Sequence, residues 1–205
     1  ILQMVEENRY CVDISNQLLA TQALLKSANQ QILQAHIRSC VRDALLDRMP
    51  GDWDVTTSAR REETMALFAG RAVPTGLRHG TVTVKTEQGG VEITTLRRDG
   101  AYRDHRRPET VTFTDSLEED LRRRDFTINA MAADLQGTLY DPLGGRADLT
   151  AKVLRCVGEP DRRFGEDALR ILRLYRFAAR FGFEIDPATG QAARELCAHL
   201  DLSLI

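Results

Sequence analysis

Several absences narrow what this chain can be. Proline and glycine are missing from Ile1 through Met49, so nothing in that stretch breaks a helix by backbone chemistry. No apolar run approaches the roughly 18–20 residues of a membrane span, and no secretory signal is visible. Cysteine is scarce: Cys11, Cys40, Cys156 and Cys197 are the only four. Their spacing suggests no disulfide framework in a chain this long, which points to a reducing compartment and a cytoplasmic location. Net charge is also nearly lacking, at −2. That balance hides arginine clusters at 97–107, 122–124 and 162–180, which suit polyanions. With 42% hydrophobic and 28% charged residues over 205 positions, the composition is that of an ordinary soluble globular protein rather than a disordered one, with length for one or two domains and a sizeable core. The opening at Ile1 and the uncapped ending "HLDLSLI" read as those of a piece of a longer protein.

What is present divides at Pro50-Gly51. Before it, Ile14, Leu18, Thr21, Leu25, Ala28, Ile32 and Ala35 alternate in steps of four and three, predicting one long helix with a coiled-coil-like seam through Met49. After it come short β-type runs: "WDVTT", then "GTVTV" and "GVEITTL" joined as a hairpin through "KTEQGG". "SLEEDLRRRDFTINAMAADL" reads as a helix, with Ser116 and Glu119 in capping-box positions. "GTLYDPLGG" and "KVLRCVG" read as a second hairpin. "GEDALRILRLYRFAARFGF" reads as a helix ended by Gly182 and Pro187. Residues 50–205 are therefore α+β, passing into all-helical structure.

The chemistry starts with Asp52 and Asp54. In a strand they share a face, with Trp53 and Val55 on the other. Paired carboxylates repel, and a divalent cation relieves this; in nucleotidyl transfer such a pair holds Mg²⁺. An Asp-x-Asp pair is also a common solvated turn. Glu92 in "VEITTL" could neighbour the pair as a third acid, or be an ordinary exposed strand glutamate. Arg124 and Asp125 offer a guanidinium and a carboxylate for phosphate and ribose. Asp167, Arg170, Arg173 and Arg176 recur every three residues along one helical stripe. Such a stripe can present fixed donors and acceptors to a base edge, or simply face solvent.

Together these motifs carry a resemblance. Through "VRDALLDRMPGDWDVTTSA", "RHGTVTV…VEITTLR", "RRDFTINAMA", "YDPLGG" and "EDALRILRLYRFAARFGF", residues 40–205 resemble the head and neck of CCA-adding enzymes and related poly(A) polymerases, members of the nucleotidyltransferase superfamily. The resemblance implies an α+β nucleotidyltransferase-type mixed sheet with helices: a head over about 40–160 and the start of a helical neck over 161–205. It implies Mg²⁺ on Asp52 and Asp54 with Glu92 as third carboxylate. Arg42, Arg124, Arg173 and Arg176 would contact the nucleotide, and Asp167 and Arg170 would read the edge of CTP or ATP without a nucleic-acid template. The acceptor would be a tRNA 3′ end; CCA, A-only and poly(A) addition stay open. The carboxy-terminal tRNA-gripping domains of that family find no match here.

The first forty residues follow another pattern. Where the enzyme family has a short strand ending in Gly-Gly that receives the triphosphate, this chain has Arg38 and Ser39, and the strand reads as helix. Residues 1–45 resemble the copper-sensing repressors, in which Cys, His and Cys bind Cu(I) across a dimer interface; the matching residues are Cys11, His36 and Cys40. Soft thiolates with one imidazole suit Cu(I). On a continuous helix His36 and Cys40 share a face. Cys11, 25 residues before His36, would be about 37 Å away at about 1.5 Å per residue, so one chain cannot close the site unless the helix folds back, whereas an antiparallel partner chain in a homodimer could. The basic amino-terminal part that would carry DNA contacts is not matched. "CVRDAL", 40–45, satisfies both families, as at a join of two coding sequences. The alternative reading is thus a catalytically inactive Cu(I)-binding helical dimer.

Overall fold

A computed structural model of the chain describes residues 35–37, 39–46, 54–76, 80–86, 89–102, 108–134 and 136–197. The chain divides into two units. The first runs to Leu96 and takes back Ala132–Tyr140; the second comprises Arg97–Met131 and the chain from Asp141 onward.

The first unit is a seven-stranded mixed sheet. Its strands are β1 (Ala35–Ile37), β2 (Asp54–Thr57), β3 (Ala72–Gly76), β4 (Thr81–Thr86), β5 (Gly89–Thr95), β8 (Ala132–Ala133) and β9 (Leu139–Tyr140), in the order β3-β4-β5-β2-β1-β8-β9. β2 and β5 run parallel and the other neighbours antiparallel. Alternation in "TVTVKT" puts Val82 and Val84 into the core, where they join Val55, Ile93 and Phe68. Helix α2 (Arg61–Leu67) packs Met65 on that cluster. Burying each of these side chains contributes about 1.5–3 kcal/mol. One face of the sheet is thereby sealed, which leaves the alternate positions of β2 and β5 to the other.

The hairpin expected at "GTVTV…GVEITTL" is present as β4–β5, from Thr81↔Thr94 to Thr86↔Gly89. The uninterrupted helix expected through Met49 is not. Ala35–Ile37 is strand β1, and α1 covers only Ser39–Leu45. The seam residue Ala35 pairs with Thr57, His36 with Thr56 and Ile37 with Val55, while Ile37 also pairs with Ala133 of β8. Two flanking strands offer this segment ladder bonds on both edges, and tertiary pairing overrides local helical periodicity. The strand that seemed lost to helix is therefore in place. The rest of the seam lies outside the described residues.

The second unit comprises a two-stranded hairpin of β6 (Arg97–Asp99) and β7 (Val111–Phe113), helix α3 (Leu117–Arg122), a 3₁₀ turn at Thr127–Asn129, α4 (Gly145–Ala151), β10 (Val153–Leu154), α5 (Pro160–Glu166), α6 (Leu169–Phe181), β11 (Glu184–Ile185) and α7 (Pro187–Cys197). Ile171, Leu174, Phe177 and Phe181 of α6 recur at helical spacing and are buried. Phe177 meets Phe126 edge-on at 5.9 Å and stacks with Phe181 at 5.7 Å.

Three further expectations are corrected here. The helix predicted from Ser116 stops at Arg122, because the Asp125 carboxylate accepts from Phe126 N and Asn129 Nδ2 and folds the next residues into the 3₁₀ turn. Only half of the capping box forms. Ser116 Oγ accepts from Glu119 N at 3.3 Å, but the Glu119 carboxylate accepts from Thr114 Oγ1 at 2.6 Å instead of from Ser116 N. "GTLYDPLGG" and "KVLRCVG" form no hairpin with each other: β9 pairs with β8, and β10 pairs in parallel with β11. Asp141 prevents a hairpin by capping α4, accepting from Gly145 N at 2.7 Å and Arg146 N at 2.9 Å. Gly145 is required there, since a Cβ would collide with the Thr127 carbonyl.

Gly182, at φ 67°, ends α6 as expected. The predicted helix is split at its other end. Asp167 is extended, at φ −145° and ψ 105°, and accepts from Leu169 N at 3.0 Å, so it closes α5 and opens α6.

Candidate active site

In the first unit the register of β2 and β5 sets Asp54 directly opposite Glu92. Opposed residues of paired strands project to the same side, and strands lie about 4.8 Å apart. Two carboxylates therefore stand side by side on the face left open by the core. Glu92 is exposed and Asp54 partly exposed, while their neighbours Val55 and Ile93 are buried on the other side. Behind the acids on the same face, Thr56 Oγ1 donates to the Thr94 carbonyl at 3.2 Å, and the Thr81 and Thr94 hydroxyls are 3.1 Å apart. These bonds stiffen the strands that carry the acids. Hard carboxylate oxygens without sulfur or imidazole suit Mg²⁺. Asp52 lies outside the described residues. Among the described residues no group of three or more His, Cys, Asp or Glu side chains gathers as a metal site. Arg42, on α1, pairs with its neighbour Asp43 at 3.0 Å.

The remaining predicted residues belong to the second unit. Asp120 is fully buried and accepts from Arg123 Nε at 3.0 Å, Arg123 Nη2 at 2.8 Å and Arg97 N at 3.2 Å. Arg124 Nη2 stands 3.6 Å from its other oxygen. Arg124 Nε is buried without a hydrogen-bond partner, a donor left for an acceptor from outside the protein. Asp125 is turned inward: one oxygen takes Phe126 N and Asn129, and the other pairs with Arg173 Nη2 at 2.7 Å.

The stripe on α6 divides. Arg170 is buried, whereas Arg173 and Arg176 stay at the surface, each over the Phe177 ring at 5.6 and 5.5 Å. Arg170 Nη1 donates to the Arg163 carbonyl at 2.9 Å and to Glu166 at 3.0 Å, and Nη2 to the Arg123 carbonyl at 3.3 Å. Burial raises the Asp167 carboxyl above its usual range, against the opposing pull of Arg170 and the Leu169 N–H.

Sequence reasoning missed Arg163, Glu166 and Tyr102. Arg163 donates to the carbonyls of Val157, Arg123 and Arg122 and to Glu166, tying α5 to the turn that carries Arg124. The only signal was Glu166, placed three residues after Arg163 and four before Arg170.

A mixed sheet whose parallel strand pair carries registered acids, with a separate arginine-rich helical unit, defines a nucleotidyltransferase. The family profile of the poly(A) polymerase head domain matches residues 38–155. The CCA-adding enzyme of Geobacillus stearothermophilus is 48% identical over 169 residues, 81% of this chain and 42% of the relative. That of Streptococcus pyogenes serotype M5 (strain Manfredo) is 52% identical over 154 residues, 75% of this chain and 38% of the relative. Among solved structures, the Bacillus stearothermophilus CCA-adding enzyme in complex with CTP superposes with a TM-score of 0.75 at 43% identity, covering 87% of this chain and 43% of that one. A tRNA nucleotidyltransferase complexed with a primer tRNA and an incoming ATP analog gives 0.71 at 35% identity, covering 86% and 50%. The chain belongs to the poly(A) polymerase head-domain family of nucleotidyltransferases. It spans about two fifths of the length of the curated relatives it matches. A second profile, the metal-sensitive transcriptional repressor, matches residues 1–69, of which 1–34, 38 and 47–53 lie outside the described residues. Among the described residues no helix is long and apolar enough to cross a membrane.

Proposed function

We propose that this chain carries the nucleotide-transferring part of a tRNA nucleotidyltransferase, which adds C and A from CTP and ATP to a tRNA 3′ end in the cytoplasm. The observation that carries the reading is the register of Asp54 with Glu92 on adjacent parallel strands. These two, with Asp52, would hold Mg²⁺. Bound there, the metal would lower the pKa of the attacking hydroxyl and neutralise charge on the pyrophosphate leaving group. Arg124 supplies a buried, unsatisfied donor to the nucleotide, and Arg42, Arg173 and Arg176 add positive charge toward it. Asp167 accepts and Arg170 donates at the base edge. Asp125 keeps one oxygen for Phe126 N and Asn129; the other lies 2.7 Å from Arg173 Nη2 but has no hydrogen-bond partner, and would accept from the ribose hydroxyl. Arg38 and Ser39 replace the family's glycine pair, so triphosphate binding is weakened.

The test is Mg²⁺-dependent incorporation of labelled CTP into tRNA ending before CCA. Removing the charge in Asp54→Asn or Glu92→Gln weakens the hold on Mg²⁺ and should reduce incorporation at least about a hundredfold, the loss typical of a removed electrostatic stabiliser. Incorporation that both variants retain refutes the assignment. Replacing Arg38 and Ser39 by glycine should raise the rate.

The repressor match supports a second reading, Cu(I) binding by Cys11, His36 and Cys40 in a homodimer. Against it, His36 lies in β1 and Cys40 in α1, so the two are not one turn apart on a single helix.

A further inference from the structure

Two buried polar atoms without a hydrogen-bond partner sit on adjacent residues: the donor Arg124 Nε and the acceptor Asp125 Oδ2. The backbone that carries them is tied on both flanks. Before Arg124, Arg163 Nη2 donates to the Arg122 carbonyl at 2.8 Å and Arg163 Nη1 to the Arg123 carbonyl at 3.4 Å. After it, Val157 N donates to the Asp125 carbonyl at 2.9 Å, and the Val157 carbonyl accepts from Arg163 Nε at 3.3 Å. These bonds close a ring that runs from Arg163 to Arg122, along the chain to Asp125, across to Val157 and back. Arg124 is a link of that ring. A guanidinium is a rigid plane with five donors, so one side chain, only 14% exposed, sets the spacing of three carbonyls. Capping the end of α3 would account for the bonds to Arg122 and Arg123. It does not account for the link to Val157, which reaches the far side of Arg124.

We propose that Arg163 is a positioning residue for selection at the sugar, which fixes this turn so that Arg124 and Asp125 meet the phosphate and the ribose hydroxyl of one nucleotide together. The inference rests on the reading that Asp125 accepts from the ribose. Arg163 acts only through the turn. Attraction between Arg124 and a phosphate falls off slowly with displacement, whereas a hydrogen bond from a hydroxyl weakens steeply with distance and angle. A loosened turn therefore loses preference for ribose over deoxyribose before it loses affinity for the triphosphate.

The experiment uses the full chain with Mg²⁺ and measures the affinities of CTP and dCTP by calorimetry. Arg163→Lys keeps the charge beside Glu166, but one ammonium cannot span three carbonyls. A hydrogen bond to a charged acceptor converts to about tenfold in an equilibrium constant. Wild type should therefore prefer CTP by about tenfold and Arg163→Lys by no more than about threefold, with dCTP affinity within about threefold of wild type. Arg162→Gln removes an exposed partner of the same Glu166 and bonds none of these carbonyls, so it should keep the wild-type ratio. In an Asp125→Asn background the preference should be lost, and Arg163→Lys should change nothing further. A role confined to capping α3 would lower the melting midpoint of Arg163→Lys and leave the ratio as in wild type. That result, with the preference lost in Asp125→Asn, overturns the inference while ribose contact by Asp125 stands. If Asp125→Asn keeps the preference, or wild type shows none, both are overturned. Should Arg163→Lys not fold, judged by circular dichroism, Arg163→Gln takes its place with the same expected values.

Discussion

Asp120 is a fully buried carboxylate of the second unit that accepts three hydrogen bonds, and its removal has a calculable consequence. It is 0% exposed and takes two donors of Arg123, the Arg97 N–H and the approach of Arg124. Asp120→Ala leaves the largely buried Arg123 guanidinium without this carboxylate. Breaking a buried pair from one side costs about 3–5 kcal/mol, because the remaining charge stays desolvated. A chain of this length loses about 2–4 °C of midpoint per kcal/mol, so thermal unfolding should move down by about 6–20 °C. Asp120→Asn keeps the shape and one acceptor and should lose about half as much, since charge-assisted bonds are roughly twice as strong as neutral ones. A control is at hand on the same helix. Glu118 pairs with Arg122 at 2.7 Å, but both are more than half exposed, and Glu118→Ala should cost only about 0.3–0.5 kcal/mol. Raising salt should shrink the second effect and spare the first. If Asp120→Ala proves no more damaging than Glu118→Ala, the account of the arginine cluster as a buried network is wrong.

Two further outcomes follow from the same unit. Gly145→Ala puts a methyl against the Thr127 carbonyl and the Met131 side chain and should destabilise by about 1–3 kcal/mol, as overpacking does; urea unfolding checks this. Asp167 has a carboxyl whose folded pKa is raised, chiefly by burial, so its contribution to stability is present below the usual carboxylate range and fades as pH rises through the raised value. Asp167→Asn, which keeps an acceptor for Leu169 N, should therefore raise the melting midpoint at neutral pH and lose that advantage in acid. A pH series of melts that showed the opposite order would refute the sign.

How much of this could be read from residues alone depended on whether the signal was local. The β4–β5 hairpin was legible because "TVTV" alternates over two faces and "EQGG" supplies turn chemistry. That Glu92 meets Asp54 rests on strand order, which no local pattern carries, so an exposed strand glutamate and a catalytic one look the same in sequence. The stripe on α6 was correct in spacing and incomplete in meaning. Periodicity says that Arg170 and Arg173 are neighbours, but not that Arg170 turns in to the carbonyls of Arg163 and Arg123. The pairing of Asp125 with Arg173 was not legible, because the two lie 48 residues apart. Helical periodicity failed at Ala35–Ile37 for the converse reason, since the competing partners Thr57, Val55 and Ala133 are distant in the chain.

That failure bears on the two families this chain resembles, for they place incompatible demands on residues 36–40. The repressor-type site needs His36 and Cys40 one turn apart on one helix. The sheet needs Ala35–Ile37 extended between β2 and β8. β1 is an interior strand, so withdrawing it would split the sheet between β2 and β8 and strip ladder bonds from both. Each backbone group left buried and unpaired costs about 1–3 kcal/mol, so a cation that recruited His36 and Cys40 together would have to offset several such losses. Adding one equivalent of Cu(I) to the full chain should therefore leave amide exchange across β1 and β2 unchanged, in wild type and in Cys40→Ala alike. Faster exchange at Val55, Thr56 and Thr57 together, triggered by Cu(I) and absent in Cys40→Ala, would show that the metal-binding arrangement wins over the sheet and that the strand is only one of two states of this segment.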